Sequence, residues 1–134
     1  MVHYESEGMF DAPIEKVWKF MPSEHHQHAA FKSVRMVEDG FETELLRGDG
    51  KTTSKALFKL KMNPPSGYET TVQGGPLDGA SFRHMFTPMG QKTQVNVEGD
   101  FRPIAGMTEA VQLKILDDFF TTAFNEDNAN MQKT

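Results

Sequence analysis

The sequence predicts an α+β fold in which a curved antiparallel sheet closes around a single long helix at the end of the chain. Three observations carry this reading. A short segment of helical spacing follows the first strand; residues 32–101 then alternate with period two between turn residues; and residues 107–131 return to helical spacing with one apolar stripe. A sheet that grips its last helix tends to leave a hollow, and a hollow suggests ligand binding.

Val2 to Phe10 alternates and contains Val, Tyr and Phe, which predicts a strand. Asp11 offers a capping oxygen, Pro13 suits a first helical turn, and Ile14, Val17, Trp18 and Met21 recur at helical spacing, so a short amphipathic helix follows. Pro22 ends it, and Ser23 is placed to cap a second short helix over Glu24 to Phe31. Ser33 to Glu38 and Phe41 to Arg47 then flank Asp39-Gly40, a favoured two-residue hairpin turn. Gly48-Asp49-Gly50 makes the next turn, and Ala56, Phe58, Leu60 and Met62 form the apolar face of the following strand. Pro64-Pro65-Ser66-Gly67 reverses the chain. Strands over 68–74, 80–87 and 93–101 complete a meander. In the final helix Leu113, Leu116, Phe120, Ala123 and Phe124 share a stripe, while Gln112, Lys114, Asp118, Thr121 and Thr122 lie largely off it. Its span, about 35 Å at 1.5 Å per residue, matches the length of a ten-residue strand, about 33 Å.

With 134 residues and no break in composition, one domain covering 1–134 is expected, burying roughly two thirds of the surface its unfolded chain exposes. Cysteine is absent, which excludes disulfides, thiolate zinc sites and thiol nucleophiles. No leader pattern opens the sequence and no run of about 18 apolar residues occurs, so a cytoplasmic protein without an integral membrane segment is expected. Net charge is −5 and the basic residues are scattered, which argues against a nucleic-acid partner. Eleven Phe and nine Met supply soft apolar volume for a core or a pocket.

The segment Phe10-Asp11-Ala12-Pro13-Ile14-Glu15-Lys16-Val17-Trp18 resembles the START-like helix-grip superfamily, in which a strand end and Ala-Pro lead into an amphipathic turn ending in Val-Trp. The order of elements is similar along the entire chain. This superfamily (SRPBCC) includes pollen-allergen-type carriers, lipid-transfer domains, and polyketide cyclase and aromatase domains. The resemblance implies a seven-stranded sheet wrapped on the C-terminal helix, two short helices after the first strand, and a cavity between sheet and helix. It does not imply an activity, because one fold hosts carriers, sensors and enzymes.

Among candidate chemical groups, His25, His26 and His28 cluster in sequence. On a helix, positions 25 and 28 share a face, a spacing compatible with joint metal ligation, and Glu24 falls at i+4 from His28. The plainer reading is a solvated polar turn, so no metal centre and no cofactor are expected. His84 shares a strand face with Ala80, Phe82 and Phe86 and should point inward, either to meet a ligand or to bond the backbone or Tyr68. Arg83, Arg102, Glu98, Asp100 and Asp118 read as solvent-facing, whereas Asp117 sits at the margin of the helical stripe and can reach a cavity rim.

The expected function is binding of a small hydrophobic or aromatic molecule, as carrier or sensor. Phe58, Leu60, Tyr68, Val72, Phe82, His84, Phe86, Leu113, Leu116 and Phe120 are the candidate ligand contacts. A cyclase- or aromatase-like enzyme using His84, Tyr68 and Asp117 is the alternative, and a co-chaperone-like interaction module a further one.

Overall fold

The computed structural model describes residues 1–23, 26–46 and 51–133. Strand β1 (Val2–Phe10) leads through Ala12-Pro13 into helix α1 (Ile14–Phe20); strands β2 (Phe31–Val37), β3 (Gly40–Leu46), β4 (Thr53–Asn63), β5 (Gly67–Gln73), β6 (Ser81–Met89) and β7 (Lys92–Phe101) follow, and helix α2 (Glu109–Met131) closes the chain. The strands form one antiparallel sheet in the order β1-β7-β6-β5-β4-β3-β2. Six consecutive strands make the meander, and the first strand joins the last along its whole length, from Val2 opposite Phe101 to Phe10 opposite Thr93.

Period-two alternation sets the inner face. On β7, Thr93, Val95, Val97, Gly99 and Phe101 are buried, with more accessible residues between them. Helix α2 lies against this face. Phe120 packs between Tyr4 and Phe101, its ring stacked on Tyr4 at 5.2 Å, while Phe124 stacks on Phe10 at 4.7 Å. Gly8 of β1 makes room for the helix: a Cβ there would lie 2.7 Å from Cζ of Phe124.

Polar groups fix the ends of the helix. Thr108 caps it by accepting from the Val111 amide at 3.2 Å. Gln112, placed off the apolar stripe by its polarity, is buried, donating to the Arg102 carbonyl at 2.7 Å and accepting from the Ile104 amide at 3.1 Å. At the other end Asn128 accepts from the Asp11 amide and Gln132 donates to the Asp11 carbonyl, both at 3.0 Å. Trp18 of α1 packs edge-on against Phe86, with its indole N–H donating to the Pro65 carbonyl at 3.1 Å.

Three local expectations are corrected. The described residues between β1 and β2 hold one short helix rather than two. Residues 26–30 are irregular, and both His26 and His28 turn toward α2, which a helix cannot arrange for residues two apart; Glu24 and His25 lie outside the described residues. Helix α1 starts after Pro13 with no side-chain cap, so Asp11 serves through its backbone instead. The first hairpin turns one residue earlier, at Glu38-Asp39, with Val37 opposite Gly40 and Asp39 taking the left-handed φ of 64°. Gly40 is required by packing: a Cβ would meet the Phe58 carbonyl oxygen at 1.9 Å. The turn expected at Gly48-Asp49-Gly50 lies outside the described residues.

Candidate functional site

Between the concave face of the sheet and α2 lies a cavity of about 920 Å³. The inward positions of β4, β5, β6 and β7 supply Phe58, Leu60, Tyr68, Thr70, Phe82, His84, Val95 and Val97; α2 supplies Asp117, Phe119, Phe120, Ala123, Phe124 and Asp127; the irregular segment before β2 supplies His26 and His28, and the start of β2 supplies Phe31. Val34, Met36 and Met62 line it while remaining exposed, which places them at its mouth.

Of the residues expected to meet a ligand, Phe58, Leu60, Tyr68, Phe82, His84 and Phe120 line this cavity. Val72, Phe86, Leu113 and Leu116 do not; they belong to the packed core, where Phe86 is enclosed by Phe10, Trp18 and Tyr68. Alternation tells which side chains face inward. It does not tell where along a curved sheet the helix stands off and where it packs.

His84 points inward, its ring stacked 4.7 Å from Tyr68 and almost parallel to it. Its Nδ1 is buried and makes no hydrogen bond, neither to the backbone nor to Tyr68. Burial pushes the imidazole down to about 4, against the opposing charge of Asp127 and with the help of His26 and His28. The ring is therefore neutral at pH 7, presenting one donor and one acceptor. Burial likewise drives the Tyr68 hydroxyl well above the ordinary range, and Asp127 adds to this. Asp117 lines the cavity, and its partner is the Tyr4 hydroxyl, which donates to it at 2.9 Å; burial pushes Tyr4 up to about 12.

Arg83 pairs with Glu98, Arg102 with Asp78 at 3.3 Å, and Lys114 with Asp118 at 3.4 Å, all on the outer surface.

A second polar group joins two histidines of the sequence cluster to acids that the sequence does not link to them. Nε2 of His26 and Nε2 of His28 each lie 3.2 Å from Oδ1 of Asp127, and Nδ1 of His28 lies 3.0 Å from Glu126. The side chain of His28 is 9% exposed, so this is no solvated turn. Burial works against charge on His28, yet Asp127 and Glu126 outweigh it and raise its pKa. Burial also works against the charge of Asp127, and the facing His26 and His28 outweigh it, holding the carboxyl below the usual range. Besides the histidine cluster, the signal in the sequence is Asp127 itself, an acid seven residues beyond Phe120 on the stripe that runs to Met131.

Solved structures share this architecture over nearly the whole chain. A conserved protein from Geobacillus kaustophilus is 18% identical, with 98% of this chain and 95% of that one covered at a TM-score of 0.86. A START superfamily protein from Mycobacterium smegmatis is 10% identical, covering 98% and 97% at 0.84. Ara h 8.0201 is 20% identical, covering 98% of each chain at 0.72. No protein-family model matches the chain, and no curated protein matches it by sequence. The likeness is thus one of fold, and the fold is the START-like helix grip. No helix among the described residues is long and apolar enough to cross a membrane.

Proposed function

We propose that the protein binds a small hydrophobic or aromatic molecule, as carrier or sensor, in the cavity beneath α2. The observation that carries this is the cavity itself, about 920 Å³ with mostly apolar walls and the buried, unbonded Nδ1 of His84 among them. Ligand sites are of this size and character, with a few polar anchors set in apolar walls. Phe58, Leu60, Phe82 and Phe120 supply apolar contact, and neutral His84 supplies a hydrogen bond whose direction its stack on Tyr68 fixes.

This reading is favoured over a cyclase or aromatase that uses His84, Tyr68 and Asp117, because proton transfer needs groups that titrate near working pH. His84 is held at about 4, Tyr68 is driven upward, and Asp117 is engaged by Tyr4. A co-chaperone-like surface would leave the interior filled, and here it is hollow.

The test is titration with 1-anilinonaphthalene-8-sulfonate and with oleate, followed by native mass spectrometry of protein purified without denaturation. Saturable binding of one molecule per chain, with resonance shifts at Phe82 and His84, is expected. Binding without those shifts, or no binding of either probe and no co-purified molecule, would remove the proposal.

A further inference from the structure

His26 and His28 stand two residues apart on an irregular segment, and α2 brings Asp127 and Glu126 to them across about a hundred residues of sequence. Each imidazole is held from behind. Nδ1 of His26 lies 2.9 Å from the Met21 carbonyl, which only accepts, and Nδ1 of His28 lies 3.0 Å from the Glu126 carboxylate. Those partners assign the proton of each neutral ring to Nδ1 and leave a lone pair on each Nε2. Both Nε2 atoms converge on Oδ1 of Asp127 at 3.2 Å, and all three atoms lie within 4.8 Å of one another. Oδ1 is buried and, despite these approaches, has no partner in hydrogen-bond geometry.

With both rings neutral, three acceptors face one point in a shielded place and repel one another unless positive charge lies among them, either a proton on His28 or a bound cation. The two nitrogen–oxygen separations of 3.2 Å are those of neighbouring ligands in a metal site. Tetrahedral zinc with bonds of about 2.0–2.1 Å sets its ligand atoms about 3.3 Å apart. The Glu126–His28 and Met21–His26 bonds are the outer contacts that fix ring orientation in such sites.

We propose that His26, His28 and Asp127 form a site for a divalent cation of the zinc type, with its fourth position opening on the cavity that all three residues line. Two imidazoles and one carboxylate are the ligand set of a site that keeps an open position, and an anionic oxygen of a cavity ligand is the chemistry that fills it. The cation site does not depend on the proposed apolar ligand, because its three donors are in place without it.

The experiment strips the protein with EDTA and titrates it with Zn²⁺ by calorimetry and with Co²⁺ by visible absorption. One Zn²⁺ per chain, the intense d–d bands of tetrahedral Co²⁺, and shifts of the His26 and His28 ring resonances but not those of His3 are expected. His26→Gln and His28→Gln should abolish uptake, and Glu126→Gln should weaken it about 10–100-fold. His3→Ala, which dismantles the exposed group His3, Glu5 and Glu98, should leave uptake unchanged. Absence of stoichiometric uptake, or uptake that shifts His3 and is lost with it, overturns the site. The resonance shifts are read in the unaltered protein, so the result stands even where a variant misfolds.

Discussion

At the scale of single residues, His84 shows how burial converts a titratable side chain into a fixed polar anchor. In the unfolded chain an imidazole titrates at about 6.5, whereas folded His84 is held at about 4, so the folded state binds fewer protons between those values. Its contribution is fully present above about pH 6.5 and is lost as pH falls toward 4. By pH 5 the loss reaches about 2 kcal/mol at 1.36 kcal/mol per unit. His84→Phe removes this dependence, so urea unfolding at pH 7 and pH 5 should show a smaller drop in stability for the variant than for the parent. His28 and Asp127 are present in both proteins, so the difference between the two drops reports on the ring at position 84. An equal drop in the two would mean that water in the cavity solvates the ring.

At the scale of elements, α2 is held by polar ties as well as by its apolar stripe. Phe120 and Leu116 supply buried area worth about 1.5–3 kcal/mol each before ordering entropy is subtracted. Gln112 does something different: it satisfies the Arg102 carbonyl and the Ile104 amide where the chain leaves β7 and approaches the helix. Gln112→Leu adds apolar contact yet removes both bonds. A net loss of about 1 kcal/mol in chemical denaturation is expected, because two part-buried hydrogen bonds are given up for a small apolar gain. A variant as stable as the parent would show that water replaces the side chain.

At the scale of the molecule, the helix backbone comes close to β1 and stands off from β4 to β6, and the difference is the cavity. Filling it should separate binding from folding. Leu60→Trp adds bulk to the wall at a half-buried position, so affinity for 1-anilinonaphthalene-8-sulfonate should fall at least tenfold while the thermal midpoint holds or rises. In the parent, probe at a hundred times its Kd should add about 2.7 kcal/mol to stability, and at the same concentration the variant should gain no more than about 1.4 kcal/mol. Unchanged affinity in a folded Leu60→Trp protein would place the probe elsewhere.

Much of this architecture is determined locally. Alternation along 53–63 and 92–101, turn residues between strands, and the helical stripe from Leu113 to Phe124 each depend on near neighbours, so strands, meander and final helix are legible in the sequence. The inward aim of His84 follows from the same alternation. The tertiary structure alone decided the rest. It buried Gln112 and Asp127, whose polarity argues for the surface, because partners from other elements complete their environment. It drew His26 and His28 out of helical spacing to meet an acid about a hundred residues away, and it divided the inward face between cavity and core. Period and propensity describe a chain against its own neighbours, whereas a site is made by distant segments, whose distances only the packed sheet and helix set.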